Sequence, residues 1–264
     1  MSKYSVFSCK QFSISHRDCA MKVGTDAMVL GSLAGDLFSE SPKRILDVGT
    51  GSGILALMMA QAYENSSVTG IEIESVCALE AEENGRNSPF SQRVEIQHTS
   101  LQQYAEKQNV NPFNFILSNP PYFVNSLQPT DVERNTARHT ESLSFEELTK
   151  GVCSLLNEDG KFMCILPSEA EDSILKEAEK QGLTARSITT IFHKANGEGK
   201  RKVFVFQKET ILNVNEDNGC NRIQTNKILR SELVLFEEDE KKEKIGGQKR
   251  TEAYNRLSHM YYLR

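Results

Sequence analysis

The stretch Arg44-Ile45-Leu46-Asp47-Val48-Gly49-Thr50-Gly51-Ser52-Gly53 decides the fold. Its first five residues predict a short apolar strand, and the apolar run Ile54 to Ala60 that follows predicts a helix. A strand, a glycine turn and a helix in this order make a βα unit. Gly49, Gly51 and Gly53 permit positive φ angles, so a ligand can approach the main chain next to the helix N-terminus.

Strand patterns recur after this unit, at 68–73, 94–97, 113–117 and 161–166. Helical patterns separate them, which predicts an α/β fold with a doubly wound, mostly parallel sheet. Two closing strands, Ala185 to Phe192 and Lys202 to Gln207, follow one another without a helix between them. We therefore expect a seven-stranded, Rossmann-like sheet whose last strand is antiparallel.

Composition sets limits on the class of protein. The chain has 264 residues, a formal net charge of -5 and 38% hydrophobic residues, which is typical of a globular protein and not of one that coats nucleic acid through bulk charge. No apolar run approaches the roughly 20 residues of a spanning helix, and no signal peptide is visible, so we expect a cytoplasmic protein. The six cysteines are spread singly, which favours reduced thiols and no metal site.

The glycine turn indicates which cofactor binds. Its G-x-G-x-G spacing differs from the G-x-G-x-x-G of dinucleotide enzymes, and the carboxylate of Asp47 would repel a pyrophosphate but suits an ammonium or a sulfonium. Glu72 ends the second strand, where an acid can bind both ribose hydroxyls. An adenosine with a positive amino-acid tail is S-adenosylmethionine. Ser100 stands where an Asp often binds the adenine amine, and is a weaker acceptor.

The tetrapeptide Asn119-Pro120-Pro121-Tyr122 follows the fourth strand. The Asn119 side-chain oxygen and the Pro120 carbonyl are two acceptors for the N–H bonds of an exocyclic amine, and would return its lone pair to the nitrogen. Pro120 and Pro121 hold these acceptors stiffly, and Tyr122 offers a face for base stacking, worth about 1 to 3 kcal/mol. An ordinary turn is the alternative, but ligands bind at the carboxyl ends of such strands. The sequence predicts a catalytic site.

These motifs resemble those of a known family. Asp47 to Gly53, Ile71-Glu72 and Leu117 to Tyr122 look like the class I methyltransferases that modify exocyclic amines. The lead-in, Phe7 to Phe12 and Cys19 to Asp26, is similar to that of the bacterial valine-tRNA adenine methyltransferases. The resemblance implies methyl transfer to N6 of adenine 37, beside the anticodon. It runs from about residue 7 to 208 and resumes in the tail.

The resemblance divides the chain into three segments. Residues 1–43 form a lead-in packed over the cofactor site, 44–208 form the methyltransferase core, and 209–264 form an extension with a charged loop and a terminal helix. The family likeness places Lys22 to Asp26 over the cofactor, which makes Thr25 a candidate contact. Thr25 is also a candidate N-cap for the helix that follows it.

A tRNA substrate requires positive charge near the carboxyl ends of the strands. Arg134 and Arg138 lie in the long loop after the NPPY stretch, and Lys200, Arg201 and Lys202 flank the turn between the last two strands. Phosphate contacts are the functional interpretation of these residues. Solvated loop charge is the alternative for each of them.

Other functions stay open. Enzymes of the NPPY type also methylate glutamine in release factors, guanine N2 in ribosomal RNA, or adenine in DNA. A release-factor enzyme usually has a helical domain ahead of the core, and only 43 residues precede it here. The ribosomal type often has a duplicated domain, and the DNA type a recognition insertion. A non-catalytic RNA-binding protein would be favoured by loss of Asp47, the glycines or Asn119. Neither the choice of tRNA nor the oligomeric state is predicted.

Overall fold

The structure is a computed structural model that describes residues 6–19, 21–121, 143–208, 227–238 and 249–262. A hairpin of β1 (Val6–Ser8) and β2 (Ser13–Ser15) precedes one large sheet. The strands of that sheet are β3 (Arg44–Val48), β4 (Ser67–Glu72), β5 (Val94–His98), β6 (Phe113–Ser118), β7 (Leu156–Pro167), β8 (Leu183–Phe192), β9 (Arg201–Lys208) and β10 (Leu229–Val234). Their spatial order is β10-β8-β9-β7-β6-β3-β4-β5.

Helices cover both faces of the sheet. They are α1 (Thr25–Gly35), α2 (Ile54–Ala62), α3 (Ser75–Arg86), α4 (Leu101–Ala105), α5 (Phe145–Leu155), α6 (Glu171–Lys180) and α7 (Glu252–Ser258). One apolar core contains residues of α1 and α2, and a second contains residues of α5 and α6. Successive residues of β3, Ile45 and Leu46, are both fully buried, one in each core. Burial on both faces explains why the strands read as continuous apolar runs.

The strand directions confirm a mostly parallel sheet whose last core strand is antiparallel. Strands β3 to β7 pair in parallel, and β9 runs antiparallel to both of its neighbours. The predicted number of seven strands is wrong, because β10 adds an eighth strand parallel to β8. Its side chains are mostly exposed, with Leu233 buried. An exposed edge strand lacks the apolar pattern by which a sequence reveals a strand.

The lead-in and the tail join the core on the side of α1. The N–H of Lys10 donates to the Tyr261 carbonyl at 2.9 Å, and Cys9 forms a β-bridge with Tyr262. The fully buried ring of Tyr261 and that of Tyr254 belong to the same core as α1 and α2. The predicted terminal helix is present as α7. Described parts of all three predicted segments therefore contribute to one core.

The cysteines differ from expectation at one pair. A disulfide joins Cys19 to Cys77, so the expectation of reduced thiols is wrong for these two. Cys9, Cys153 and Cys164 are free thiols. Burial raises the pKa of Cys9 to about 12. Within the described ranges, no cluster of three His, Cys, Asp or Glu side chains could hold a metal ion, and no helix has the length and apolar character to cross a membrane.

Candidate active site

The turn between β3 and α2 borders open space. Gly49, Gly51 and Gly53 have φ angles of 69°, 56° and 86°, which side chains rarely permit. A Cβ added to Gly49 or Gly51 would meet no atom within 4 Å, whereas one on Gly53 would meet the Cβ of Ala81 at 3.4 Å. The first two glycines therefore face a space that a ligand can enter, and the third allows close packing of α2 on α3.

Asp47 lies near the end of β3 and is fully buried. Its Oδ2 accepts hydrogen bonds from the Thr50 hydroxyl at 2.6 Å and from the N–H of Ala56 at 3.1 Å, which ties the glycine turn to α2. In the described part of the chain its Oδ1 has no hydrogen-bond partner. Burial raises the pKa of Asp47 to about 7. An unpaired buried carboxylate oxygen favours a bound donor or cation.

Glu72 ends β4 and faces the same turn. Its Oε2 accepts from the N–H of Gly51 at 2.8 Å, and its Oε1 accepts from the N–H of Glu74 at 3.0 Å. Each carboxylate oxygen can accept a second hydrogen bond. Glu72 thus has acceptor capacity left for ribose hydroxyls, and that contact stays a prediction.

The residues after β6 lie beside the glycine turn. Ser118 pairs in register with Val48, and its buried hydroxyl donates to the Val48 carbonyl at 2.8 Å. Because the two strands are parallel neighbours, the glycine turn and Asn119 leave the same edge of the sheet side by side. Asn119 is half-buried, Pro120 is buried and Pro121 is exposed. The structure therefore brings together the two motifs that the sequence predicted as cofactor site and catalytic site.

Two predicted cofactor contacts lie near this edge at the start of helices. Ser100 caps α4, since its hydroxyl oxygen accepts from the N–H of Gln103 at 3.1 Å. A hydroxyl oxygen has two lone pairs, so it can also accept a second hydrogen bond. Thr25 is the exposed first residue of α1. The N-cap of that helix is Gly24 and not Thr25, so the expected capping role of Thr25 is wrong. Contact of either residue with a cofactor stays a prediction.

Two of the predicted RNA-binding cations begin β9, which is antiparallel and therefore starts at the carboxyl edge of the sheet. Arg201 Nε lies 2.8 Å from Oδ2 of Asp26 in α1. Lys202 forms an ion pair with Glu171 of α6. Both cations thus have acidic partners within the chain, so a phosphate would have to compete for them.

Of the other predicted RNA-binding residues, the structure describes Lys200 but not Arg134 or Arg138. Lys200 is exposed, and its Nζ lies 3.4 Å from a carboxylate oxygen of Glu198. Arg134 and Arg138 lie outside the described residues, as does Tyr122 of the NPPY stretch.

Sequence reasoning missed two buried polar residues of α3, Glu80 and Asn84. Each is 5% exposed. They lie on the face that also buries Ala81, and polar residues spaced i, i+4 on an apolar helix face predict a buried polar contact. That spacing was visible in the sequence, although their partners in the lead-in were not.

The carboxyl edge fits S-adenosylmethionine on the evidence of its own atoms. The open space in front of Gly49 and Gly51 leaves room for a ligand against the main chain. The unpaired Oδ1 of Asp47 suits the positive amino-acid tail, and Glu72 retains acceptor capacity.

Comparison with known proteins also identifies methyltransferases. Residues 24–166 match the Methyltransferase small domain family. The chain is 42% identical over 200 residues to a tRNA1(Val) (adenine(37)-N6)-methyltransferase of Bacteroides fragilis, which covers 76% of this chain and 83% of the relative. It is 35% identical over 258 residues to a protein of the same name from Bacteroides thetaiotaomicron, which covers 97% of each. The second likeness therefore includes residues beyond 208.

Solved structures share the fold. The crystal structure of a predicted O-methyltransferase from Agrobacterium tumefaciens superposes with a TM-score of 0.60, covering 89% of this chain and 96% of that one. The sequence identity is 19%, so this likeness speaks for the fold alone.

Proposed function

Since the chain belongs to the family of the tRNA1(Val) (adenine(37)-N6)-methyltransferases, we propose that it methylates N6 of adenine 37 in valine tRNA. It is a class I methyltransferase and uses S-adenosylmethionine. One adjacency supports the assignment most directly: Asn119 and the glycine turn follow neighbouring parallel strands, joined by the Ser118 hydroxyl. The predicted acceptors for the amine thus lie beside the predicted cofactor site.

The residues around the glycine turn hold the cofactor. S-adenosylmethionine, when bound, supplies an electrophilic methyl group on a positively charged sulfur. Asp47, whose Oδ1 is unpaired in the described part of the chain, would face the positive tail, and Glu72 would accept hydrogen bonds from the ribose hydroxyls. Thr25 and Ser100 complete the proposed set. No metal ion is part of this proposal.

Asn119 and Pro120 prepare the amine. An exocyclic amine is a poor nucleophile because its lone pair is delocalised into the ring. The Asn119 side-chain oxygen and the Pro120 carbonyl accept hydrogen bonds from its two N–H groups, which favours a tetrahedral nitrogen whose lone pair points toward the methyl group. The proline rings at 120 and 121 limit main-chain motion, so these acceptors are positioned before the base arrives.

Residues other than Asn119 and Pro120 are proposed to bind the adenine ring and the rest of the tRNA. Tyr122, by its place in the sequence, supplies a stacking face for the adenine. Arg134, Arg138 and Lys200, together with Arg201 and Lys202, are proposed to contact phosphates. An anticodon-loop base is accessible without opening a duplex, and a tRNA substrate places the enzyme in the cytoplasm.

The three chain segments have separate proposed roles. Residues 1–43 are proposed to pack over the cofactor site, residues 44–208 to form the methyltransferase core, and residues 209–264 to form an extension with a charged loop and a terminal helix. Asn84 donates hydrogen bonds to the carbonyl of Ser15 in the lead-in and to the carbonyl of Ser52 in the glycine turn, which supports the first of these roles.

Mass spectrometry of tRNA nucleosides tests the proposal. Valine tRNA from cells that lack the gene should have no N6-methyladenosine at position 37, and the purified enzyme with S-adenosylmethionine should restore it. A tRNA with guanine at position 37 is the matched control. Modification of a release-factor glutamine or of ribosomal guanine instead would contradict the proposed substrate, and cofactor binding without any transfer would favour a non-catalytic RNA-binding protein.

A further inference from the structure

Helix α3 carries two buried polar side chains that the proposed chemistry does not use. Glu80 and Asn84 are each 5% exposed and lie about one helical turn apart on the same face. Both contact the lead-in between residues 15 and 19, from the last residue of β2 onward.

The Glu80 carboxylate binds three consecutive main-chain N–H groups. Oε1 accepts from Arg17 at 2.6 Å, Oε2 accepts from Cys19 at 3.0 Å, and Asp18 donates to both oxygens at 3.3 and 3.2 Å. The Ser15 hydroxyl also donates to Oε1 at 2.8 Å. Burial raises the pKa of Glu80, but these hydrogen bonds lower it more, so its pKa lies below the ordinary value. The carboxylate is therefore ionised and held by the lead-in at neutral pH.

Asn84 connects the lead-in to the glycine turn. Its Oδ1 accepts from the N–H of Ser15 at 2.9 Å. Its Nδ2 donates to the carbonyl of Ser15 at 2.7 Å and to the carbonyl of Ser52 at 2.9 Å. Ser52 lies between Gly51 and Gly53. One side chain therefore bonds both the lead-in and the turn that faces the cofactor space.

Lys22 and His16 hold the next part of the lead-in. Lys22 Nζ donates to the carbonyls of His16, Arg17 and Cys19 at 2.6, 2.9 and 3.0 Å. The Nδ1 of His16 accepts from the N–H of Val23 at 2.9 Å. An ammonium has three donors, and each of them has a carbonyl here. The chain is thus folded on itself just before α1.

The C-terminal end of this segment is bonded to the start of β9. Asp26, in the first turn of α1, pairs with Arg201 at the start of β9. Both ends of the described residues from Ser15 to Asp26, called the strap below, therefore lie at the carboxyl edge of the sheet. One end is linked to the glycine turn through Asn84, and the other is paired with Arg201 at the start of β9.

We propose that Glu80 and Asn84 are positioning residues for the cofactor: they hold the strap against the glycine turn, so that the strap covers bound S-adenosylmethionine. The inference rests on the proposed function for the identity of the cofactor. Neither residue touches the reacting atoms. Both act by keeping the strap in its binding-competent place before the cofactor arrives.

A looser strap should lower the affinity of the enzyme for the cofactor. If the strap is in place for only a tenth of the time, the apparent Kd for the cofactor rises about tenfold. Once the cofactor is bound, the strap is in place and Asn119 is unchanged. The KM for S-adenosylmethionine should therefore rise, while kcat at saturating cofactor stays within about twofold of the wild type.

Calorimetric titration with S-adenosylmethionine, in a reductant that opens the Cys19–Cys77 disulfide between the strap and α3, tests this in Glu80→Gln and Asn84→Ala. The first variant replaces an acceptor oxygen by a donor that faces main-chain N–H groups, and the second removes the link to Ser52. Glu83→Gln is the matched control, since Glu83 lies exposed on the same helix. We expect at least a tenfold higher Kd for the two variants and an unchanged Kd for the control. An unchanged Kd in folded Glu80→Gln and Asn84→Ala would overturn the inference.

A second measurement uses the wild-type enzyme and does not depend on the variants folding. Hydrogen exchange at the amides of Arg17, Asp18 and Cys19 should slow at least tenfold when S-adenosylmethionine is added. Equal exchange with and without the cofactor, at a concentration that saturates calorimetry, would overturn the proposal. Loss of tRNA methylation is a separate result: a wild-type enzyme that binds the cofactor under a protected strap but does not modify tRNA would contradict the proposed function alone.

Discussion

The Ser118 hydroxyl donates a hydrogen bond to the Val48 carbonyl at 2.8 Å, and so joins the last residue of β6 to the last residue of β3. Both residues are buried. The next residue along each strand begins a motif, Asn119 on one and Gly49 on the other. This bond therefore holds the predicted catalytic and cofactor motifs side by side.

Ser118→Ala should lower the free energy of unfolding by about 1 kcal/mol, because a buried hydrogen bond is lost. Urea denaturation measures this change. Ser67→Ala is the control, since the Ser67 hydroxyl is exposed and lies 3.3 Å from its acceptor. We also expect a lower kcat for Ser118→Ala. Equal stability of Ser118→Ala and wild type would show that the bond does not hold the two strands.

Asn119→Ala should leave the Kd for S-adenosylmethionine nearly unchanged, because the proposed contact of its side chain is with the amine rather than with the cofactor. The rate of methyl transfer to tRNA should fall by roughly 10²- to 10³-fold, as for the loss of one group that stabilises a transition state. Single-turnover transfer of labelled methyl groups measures the rate. Asn111→Ala, at an exposed position before β6, should have wild-type activity. Near-normal turnover of Asn119→Ala would rule out the proposed role.

Cofactor affinity should depend on pH through Asp47. Burial raises its folded pKa to about 7 from an ordinary 3.8, so its contribution to stability is complete below about 3.8 and is lost as pH rises through 7. A positive ligand tail beside Oδ1 lowers that pKa, and binding at pH 7 should release part of a proton. Affinity should therefore rise from about pH 6 to about pH 8.

Calorimetry in two buffers of different ionisation enthalpy measures the released proton. Asp47→Asn cannot titrate at this position, and its affinity should be lower and almost independent of pH. Proton uptake on binding to the wild type would contradict the assignment of Asp47 to the positive tail.

Reversing the charge of Arg134 and Arg138 should weaken tRNA binding most at low salt, because phosphate contacts release counterions. Filter binding between about 50 and about 200 mM salt gives the slope, which should become shallower. Arg86→Glu with Lys180→Glu is the matched control. These exposed residues end α3 and α6, and helices that return between parallel strands end at the opposite edge of the sheet. Equal effects of both pairs would indicate bulk charge rather than a defined contact.

The disulfide between Cys19 and Cys77 ties the strap to α3. Peptide mapping without reduction should recover these two residues in one linked fragment, while Cys9 and Cys164 are alkylated only after denaturation, because both are buried. Rapid alkylation of Cys77 in the native, untreated protein would show that the pair is reduced.

The sequence predicted the parts of the fold whose pattern is local. Apolar runs such as Phe113 to Leu117 identified the buried strands, and Gly49, Gly51 and Gly53 identified the turn. Both signals arise from burial or φ angles at consecutive residues. The edge strand Leu229–Val234 was missed because its side chains are mostly exposed, so nothing in its apolar pattern distinguishes it from a loop.

Residues far apart in the chain form the remainder of the site. The sequence alone could identify Asp47, Glu72 and Asn119 as candidate site residues, because the type of each residue and its position near the end of a strand indicate what it can bind. Only the tertiary structure could show that Asn84 bonds both Ser15 and Ser52, or that Ser118 reaches Val48. Sequence spacing does not specify hydrogen bonds between separate elements. They depend on strand register and on helix rotation, which packing of the whole core decides.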